Sequence, residues 1–397
     1  MIFLGCLFDR KNESIYLSKS KTGLSNAANT YQWNLIDGLN ANLAKPISII
    51  NALPVGIWKR QYKDFILESR IWEYNGSVNH ELGCINLPFI KQYQRYRKCL
   101  RLLRRSDDRS VLIYSAYLPF LKAVRKLDKK YNVTLIVTDL PEYYDLGKTS
   151  ALTKIFRKLN NRAIYKCMER VDNFVLLTEQ MEAPLRVGNR PYTIIEGICN
   201  PDSLISSAMT DQNEKIILYT GTLHRKYGIG NLLDAFEMIS DPDYKLWICG
   251  GGDMKAQIQE MAQRDSRIQF FGYLPKSEIA ELQKKATVLV NPRQNNEEYT
   301  KYSFPSKTME YMMSGKPVIM YKLDGIPDEY DKYLSYVPDN SVAALRDTLV
   351  GICELSPEER ASVGRTAQQF IANSKSAEKQ AKKLLDMIQP TSHINEV

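Results

Sequence analysis

The chain has 397 residues, of which 44% are hydrophobic and 25% charged, and its formal net charge is +9. This length exceeds one ordinary hydrophobic core and predicts two domains of about 200 residues each. No apolar run approaches the roughly 18 to 20 residues that span a bilayer, and the scattered cysteines predict neither disulfides nor a zinc site. We therefore expect an intracellular protein without an export signal.

The positive charge is concentrated in the first half of the chain. Residues 1–200 contain 31 Lys and Arg against 18 Asp and Glu, whereas residues 201–397 contain 23 against 27. Three basic segments have helical patterns with aromatic or aliphatic partners, namely Lys91–Arg105, Lys122–Lys130 and Lys154–Arg170. Such helices suit the anionic face of a cytoplasmic membrane. Nucleic acid is a less favoured partner because no recognised nucleic-acid-binding motif accompanies the charge. A third interpretation is that these are ordinary solvated helix faces.

Short apolar runs separated by helical segments make the first half a parallel α/β unit. The predicted strands are Ile2–Leu7, Ile47–Asn51, Val111–Tyr114, Val133–Val137 and Phe174–Thr178.

Two polar loops follow predicted strands in this half. Gly23 and Asn26 lie after the first strand, where either Ser25 or Asn26 is suited to cap the next helix. Asp139 and Glu142 follow the fourth strand. Because α/β folds bind ligands at the carboxyl ends of their strands, these residues are candidates for ligand contact. Capping of loop turns is the alternative.

The second half repeats the alternation of strand and helix. Its predicted strands are Ile216–Tyr219, Tyr244–Cys249, Ile268–Gly272, Val288–Val290 and Val318–Met320. A Gly-bounded loop with two adjacent cations, Arg225 and Lys226, follows the first of them. The glycines at 250–252 lack the full Gly-x-Gly-x-x-Gly spacing, which argues against a dinucleotide dehydrogenase.

The segment between the last two of these strands has the features of an anion-binding helix start. Pro305 fits the first helical position and leaves the amides of Ser306 and Lys307 free to face an anion. Glu310 lies three residues after Lys307 on the same helix face, and a carboxylate is suited to hold the vicinal hydroxyls of a ribose. Gly315 then ends the helix. The alternative is an ordinary amphipathic helix with its methionines toward a core.

This segment resembles the donor-site signature of glycosyltransferase family 4, whose members are retaining enzymes of the GT-B fold. The signature contains two glutamates separated by seven residues, followed by a small-Gly-x-Pro-Val turn. The chain keeps the second glutamate as Glu310, but Tyr302 stands at the position of the first. Glu297 and Glu298, on a polar loop just upstream, are candidates to replace it, although such residues are more often simply solvated.

The resemblance extends to two upstream turns. Family members carry a Gly-Arg-Leu-like turn and a Lys-Gly pair whose basic residues grip the donor diphosphate. Thr222 and Tyr227 occupy those basic positions here, and the resemblance passes the role to the nearby Arg225 and Lys226. His224, in the same loop, is a candidate donor contact or a bystander. In the family the turn that contains Tyr273 and Leu274 borders the nucleobase.

The resemblance implies an order of domains along the chain and a set of site residues. It implies two Rossmann-like parallel-sheet domains facing an interdomain cleft: an acceptor-binding domain at 1–197, a nucleotide-sugar-binding domain at 198–375, and a terminal helix at 376–397 that crosses back. The boundary is expected near Ile195–Asp202. Arg225, Lys226 and Glu310 are the catalytic candidates. The donor-binding candidates are Gly221, Thr222, His224, Gly251, Tyr273, Leu274, Ser303, Phe304, Ser306, Lys307 and Glu310.

The implied reaction is transfer of a sugar, with retention, from a nucleotide-diphosphate sugar to a lipid-linked or polysaccharide acceptor at the cytoplasmic membrane face. Neutralising a diphosphate leaving group requires no strong general base, so positive groups can supply most of the catalysis. We expect no metal and no other cofactor. Two alternatives remain open: a GT-B nucleotide-sugar epimerase, and a non-catalytic binding protein with a degenerate donor site.

Overall fold

The computed structural model describes residues 1–143, 151–199 and 214–388. It divides into two compact units, one formed by Met1–Ile198 with Ala377–Val397 and the other by Cys199–Ser376. The divisions fall one residue beyond the positions expected from the sequence. Residues 200–202 of the expected linker and 389–397 of the expected terminal segment lie outside the described residues.

The first unit is built from short strands and helices in alternation. Its strands are β1 (Ile2–Gly5), β2 (Ser48–Asn51), β3 (Ile66–Leu67), β4 (Arg70–Tyr74), β5 (Ser77–Glu81), β6 (Cys84–Ile85), β7 (Ser110–Tyr114), β8 (Asn132–Val137), β9 (Asn173–Leu176) and β10 (Tyr192–Ile194). Its helices in this part of the chain are α1 (Glu13–Lys19), α2 (Asn26–Asn42), α3 (Ile90–Arg105), α4 (Leu118–Val124), α5 (Ala151–Met168) and α6 (Glu182–Leu185).

Eight of these strands form one sheet in the order β10-β9-β8-β7-β1-β2-β5-β4. All neighbours are parallel except β4 and β5, which form a hairpin at the edge. The strands β2, β5 and β4 lie on one side of β1, and the later strands β7 to β10 lie on the other side. The topological switch point of the unit, where α/β folds bind ligands, therefore lies at the carboxyl ends of β1 and β7.

The second unit has the same construction. Its strands are β11 (Lys215–Thr220), β12 (Tyr244–Cys249), β13 (Ile268–Gly272), β14 (Val288–Asn291), β15 (Val318–Tyr321) and β16 (Ser335–Val337). Its helices are α7 (Ile229–Glu237), α8 (Lys255–Arg264), α9 (Lys276–Lys285), α10 (Ser306–Met313), α11 (Val342–Cys353) and α12 (Pro357–Ser374). The sheet order β13-β12-β11-β14-β15-β16 is wholly parallel, and its switch point lies between β11 and β14.

The last helix, α13 (Ala377–Ile388), belongs to the first unit and packs on α2. Gly38 allows this close approach, because a Cβ there would lie 2.0 Å from the carbonyl oxygen of Ala377. Leu384 and Ile388 enter the same hydrophobic core as α2. The strong amphipathic pattern of this segment thus corresponds to a buried face within the unit.

The predicted fold class is confirmed, and so is the helix cap at Ser25, whose side chain accepts a hydrogen bond from the Ala28 amide. Three local expectations were wrong. The segment Lys122–Lys130 is helical only as far as Val124, where α4 ends before the exposed Arg125 and Lys126. Pro305 directly precedes the first turn of α10, without a capping side-chain hydrogen bond, rather than occupying that turn. In the basic helix α3, Lys91 and Arg95 are buried instead of facing solvent.

No helix within the described residues has both the length and the apolar content that crossing a membrane requires. The seven cysteines are free thiols.

Candidate active site

The loops at the carboxyl ends of β11, β12 and β13 are joined by backbone hydrogen bonds. The Gly221 amide donates to the Cys249 carbonyl at 3.0 Å, and the Leu223 amide donates to the Gly251 carbonyl at 2.9 Å. The Gly250 amide donates to the Gly272 carbonyl at 2.7 Å. The three loops therefore form one continuous surface at the end of the sheet, and the predicted residues Gly221, Gly251 and Thr222 lie on it.

The three consecutive glycines have different structural roles. Gly250 has a φ of +139°, and a Cβ there would lie 1.8 Å from the Gly221 carbonyl oxygen. A Cβ on Gly252 would lie 2.3 Å from the Leu223 carbonyl oxygen. At Gly251 a Cβ would meet no atom within 4 Å. Packing therefore demands glycine at 250 and 252, while the middle glycine leaves backbone open on the surface of the loop.

Asp253 organises the loop that follows β11. Its carboxylate lies 3.1 Å from Nδ1 of His224 and accepts a hydrogen bond from the Arg225 amide at 3.3 Å. The Arg225 guanidinium donates to Gln257 on α8 at 3.1 Å. His224 and Arg225, both predicted from the sequence, are thus held on the side of the loop that faces α8. The Arg225 side chain points at α8 rather than at α10.

Lys226 belongs to a different group, which we call the cation–aromatic cluster: Lys226, Tyr227, Arg293 and Tyr299. The Lys226 ammonium lies 5.2 Å from the Tyr227 ring centroid and 5.9 Å from that of Tyr299. The Arg293 guanidinium lies 5.3 Å and 4.6 Å from the same two rings. The cluster joins the loop after β11 to the loop after β14, so two cations meet at the switch point of the sheet.

Two polar atoms of this cluster are buried without a hydrogen-bond partner among the described residues. They are Nε of Arg293 and the hydroxyl of Tyr299. Ser303 Oγ, between Tyr299 and the start of α10, is in the same condition. Because buried polar groups in folded proteins are nearly always paired, orphaned groups gathered in one place mark a site where a ligand can supply the partner.

The helix α10 is docked on the end of β11 by Tyr311. The buried Tyr311 hydroxyl accepts a hydrogen bond from the Thr220 amide at 2.8 Å and donates to the Thr220 carbonyl at 2.9 Å. Burial raises the pKa of Tyr311 well above its ordinary value, so the hydroxyl stays neutral and able to donate. This contact places the segment from Tyr299 to Glu310 beside the loop that carries Lys226.

Glu310 and Lys307 bind each other on one face of α10. The Lys307 ammonium donates to both carboxylate oxygens of Glu310 at 2.9 Å, and the amide of the buried Gln283 donates to one of them at 3.2 Å. The positive charge of Lys307 also opposes the rise in the pKa of the Cys249 thiol, which burial brings to about 11. Lys307 therefore lies near the end of β12, where the glycine turn begins.

The other predicted residues of this unit are scattered around these elements. Ser306 is exposed at the start of α10, and Phe304 is buried against the ring of Tyr330. Tyr273 is 80% exposed beyond β13, and Leu274 packs against the core. Tyr302 is half-buried in the 3-10 turn Glu298–Tyr302. The two candidates for the missing glutamate, Glu297 and Glu298, are both exposed.

The candidates in the first unit lie on two separate loops. Gly23 is exposed, with a φ of +78°. The Asn26 amide donates to Glu13 at 2.7 Å. Asp139 is exposed after β8, and Glu142 accepts a hydrogen bond from the Tyr165 hydroxyl at 3.0 Å.

Four site residues escaped the sequence reasoning: Asp253, Gln283, Arg293 and Tyr299. Arg293 lies three residues after the predicted strand Val288–Val290, and this position at a strand's carboxyl end is the signal that could have indicated it. Gln283 and Asp253 carry no such signal, because their roles depend on contacts with distant parts of the chain. The described residues hold no group of three or more His, Cys, Asp or Glu side chains arranged for a metal ion.

Comparison with known proteins identifies the fold. Residues 204–388 match the family model described as "Glycosyl transferases group 1". The chain is similar in structure to sucrose-phosphate synthase from Thermosynechococcus elongatus, at a TM-score of 0.69 and 16% identity over 98% of both chains. It is also similar to Anabaena HepE, solved in complex with UDP, at a TM-score of 0.62 and 13% identity over 97% of this chain and 98% of that one.

A curated relative matches over a short stretch only. The Escherichia coli K12 protein named "Putative colanic acid biosynthesis glycosyl transferase WcaI" is 35% identical over 72 residues, which is 18% of either chain. The stretch in common is thus less than a fifth of that protein's length. Together with the two parallel-sheet units, these similarities show that the chain has the GT-B fold of glycosyltransferases, with residues 204–388 matching the group 1 family model.

Proposed function

We propose that the protein is a retaining glycosyltransferase that moves a sugar from a nucleotide-diphosphate sugar to a lipid-linked or polysaccharide acceptor. The observation that carries this proposal is the cation–aromatic cluster at the switch point of the second sheet. Lys226 and Arg293 place two positive charges beside buried donors without partners. A diphosphate supplies both the negative charge and the acceptor oxygens that such a group lacks.

In this proposal the donor's leaving group is stabilised by electrostatics. Lys226 and Arg293 neutralise the charge that develops on the diphosphate as the bond to the sugar breaks. The uncapped start of α10 adds the partial positive charge of a helix N-terminus. Glu310, held in place by Lys307 and Gln283, accepts hydrogen bonds from the ribose hydroxyls. Arg225 fixes the loop through Gln257 and is assigned a positioning role.

The site also assigns a role to the open backbone of the glycine turn. Gly251 presents main chain without a side chain at the end of β12, close to Lys307. Backbone at such a position allows a nucleotide to approach closely. The solved HepE complex contains UDP, and we propose a nucleoside diphosphate of the same chemical class for this chain.

Thermal stabilisation by a panel of nucleoside diphosphates that differ in base tests this proposal. One class should stand out, because a ligand at about 100 times its dissociation constant adds roughly 2.7 kcal/mol to the free energy of unfolding. Lys226→Ala should lose most of the shift. Glu278→Ala, an exposed carboxylate on α9, is the matched control for Glu310→Ala and should keep the shift that Glu310→Ala loses.

If no nucleoside diphosphate raised the melting temperature, nucleotide binding would be contradicted altogether. If one nucleotide binds but its sugar conjugate is never consumed, the protein is a binding protein with a degenerate site. If the conjugate is isomerised without a product on a lipid or glycan extract, an epimerase is favoured.

We further propose that the first unit binds the anionic face of the cytoplasmic membrane. Large apolar side chains lie exposed on the start of α3 and on α5, and the rings of Phe89 and Phe156 are 6.1 Å apart. The exposed apolar residues are Phe89, Tyr93, Ile155, Phe156 and Leu159. Exposed cations flank them on the same helices: Arg97, Arg101, Lys154, Lys158 and Arg162. Apolar insertion combined with basic residues near the headgroups is the chemistry of peripheral membrane binding.

Liposome flotation should show binding that requires anionic lipid and weakens as salt rises. Phe156→Ser should reduce flotation several-fold at every salt concentration, because it removes apolar area that enters the headgroup layer. Ile71→Ser is the matched control, since Ile71 is 71% exposed on the edge strand β4 and belongs to neither α3 nor α5. Equal flotation on neutral and anionic vesicles would refute the electrostatic part.

A further inference from the structure

The first unit buries two cations on one face of α3. Lys91 and Arg95 are four residues apart and are 9% and 2% exposed. Such side chains are rarely buried unless an opposite charge accompanies them, because removing an unpaired charge from water costs several kcal/mol. Within the described residues, neither has a carboxylate within salt-bridge distance. The pair therefore lacks the counter-charge that its burial demands.

Most of the N–H groups of this pair also lack an acceptor. The Lys91 ammonium donates to the Val55 carbonyl, and the Arg95 guanidinium donates to the Leu53 carbonyl at 2.9 Å and to the Tyr117 hydroxyl at 3.1 Å. Nε of Arg95 is buried without a partner among the described residues. Since an ammonium has three N–H donors and a guanidinium five, the larger part of the donor capacity is unused.

The carboxylate whose charge acts on Arg95 is already committed elsewhere. Glu81 accepts hydrogen bonds from the Asn51 side chain at 2.6 Å and from the Leu53 amide at 2.9 Å. Burial raises the pKa of Glu81 despite these bonds, and burial together with the charge of Arg95 lowers the pKa of Lys91 to about 7. Arg95 alone matches the charge of one ionised Glu81, so the cluster has excess positive charge whenever Lys91 is protonated.

The pair lies where an α/β unit places its ligand. Cys6 follows β1, Leu53 follows β2, Glu81 ends β5 and Tyr117 follows β7, so the cluster spans the carboxyl ends of the strands at the switch point. Cys6 and Tyr117, two of the residues around the cations, are half-buried and retain some exposed surface.

The loop after β1 is rigidly held beside the pair. The Gln32 side chain bonds both the amide and the carbonyl of Cys6 at 2.8 Å. The Asn51 side chain bonds the amide and the carbonyl of Leu7 in the same way, at 2.9 and 2.8 Å. A loop so fixed keeps the cations in one geometry, as a binding subsite requires.

We propose that Lys91 and Arg95 form a subsite for a phosphoryl group at the carboxyl end of the first unit's sheet. A phosphoryl group brings the missing negative charge and several acceptor oxygens in one compact body, which matches the fork of Arg95 and the ammonium of Lys91. If the proposed function holds, the phosphoryl group belongs to the acceptor. The acceptor is then a phosphorylated sugar or a lipid-linked diphosphate rather than a neutral glycan.

Thermal shift and calorimetry with inorganic phosphate and pyrophosphate, at constant ionic strength, test the subsite in the full chain. The wild-type protein should be stabilised by the anion. Lys91→Met should weaken the anion's apparent affinity about tenfold or more, and its melting temperature without anion should equal or exceed that of wild type, because an uncompensated buried charge has been removed. Arg104→Met removes an exposed cation from the same helix and should change neither quantity.

The opposite pattern would overturn the proposal. If Lys91→Met melts lower without anion and keeps wild-type anion affinity, Lys91 only ties α3 to the loop at Val55. Arg95→Lys serves as a second variant in case Lys91→Met does not fold. It keeps the charge but loses the guanidinium fork, and it should weaken pyrophosphate binding about tenfold, so unchanged binding would equally overturn the subsite.

Two further arms identify the source of the phosphoryl group and separate this inference from the proposed function. A hexose phosphate and a short-chain polyprenyl diphosphate are compared, and the one that stabilises wild type but not Lys91→Met is the source. The nucleoside diphosphate shift, which depends on the second unit, should persist in Lys91→Met. An anion response that depends on Lys91, together with a flat nucleotide panel, would keep the subsite while the proposed function fails.

Discussion

Glu310→Gln should lower kcat/KM for the nucleotide sugar by about 100-fold, which corresponds to roughly 3 kcal/mol of transition-state stabilisation. The Glu310 carboxylate is oriented by Lys307 and Gln283 and remains 40% exposed, so it is fixed in place and still able to accept hydrogen bonds from a ligand. Hydrogen bonds to a charged group are worth about 1.5 to 3 kcal/mol each. The neutral amide has one acceptor oxygen in place of two and lacks the negative charge, so its hydrogen bonds from the two ribose hydroxyls are fewer and weaker.

Steady-state kinetics measured with thermal denaturation checks this result. Glu278→Gln on α9 is the control and should retain wild-type rates. Lys307→Met should reduce the rate less than Glu310→Gln if Lys307 acts mainly by orienting the carboxylate. A Glu310→Gln enzyme with wild-type kcat/KM and wild-type stability would remove Glu310 from the site.

Gly250→Ala should destabilise the second unit by about 2 to 5 kcal/mol. Its φ of +139° lies in a region where L residues are strained, which costs about 1 to 3 kcal/mol, and crowding of a well-packed position adds a similar amount. The new Cβ would lie 1.8 Å from the Gly221 carbonyl oxygen. Relief requires the loops after β11 and β12 to separate, so nucleotide binding should fall together with the melting temperature.

Gly251→Ala is the matched control, because its Cβ would meet no atom within 4 Å. It should keep the stability of wild type to within about 0.5 kcal/mol. Any loss of nucleotide binding in this variant would then come from obstruction of the ligand and not from unfolding. Denaturant unfolding of both variants distinguishes them, and a Gly250→Ala protein as stable as wild type would contradict the close packing of the two loops.

The strand pattern of both units was predictable from local sequence. Buried parallel strands appear as short apolar runs, and β1, β2, β7, β8 and β9 each lie within two residues of the predicted position. The strands β4, β5, β10 and β16 were not predicted, and β3 and β6 were missed as well. Both β3 and β6 are two residues long and depend on their pairing with each other, so they carry no pattern of their own.

The site was predictable where spacing along one helix decides which side chains meet. The separation of Lys307 and Glu310 placed them on one face of α10, and the structure shows them in contact. Their roles differ from the expectation. Lys307 was expected to face an anion, but its ammonium is paired with the Glu310 carboxylate. Arg225 likewise bonds Gln257, a partner that no local rule could indicate.

The basic helix α3 shows most clearly what the sequence alone does not determine. Its composition correctly indicated a helix rich in positive charge, and by pattern its cations belong in solvent. The sheet ends that surround Lys91 and Arg95 come from β1, β2, β5 and β7, which are far apart in the chain. Burial of these two cations is therefore a property of the tertiary structure.

The sequence by itself determined the strand and helix pattern, the parallel α/β class and the helix that carries Glu310, because each depends on neighbours within a few residues. Only the tertiary structure decided that Arg293 joins Lys226, that Asp253 holds the loop after β11, and that two cations of α3 are buried with no carboxylate in salt-bridge contact among the described residues. Those outcomes depend on which strand ends are brought side by side, and hydrogen bonds and charges act between groups that are close in space, whatever their separation along the chain.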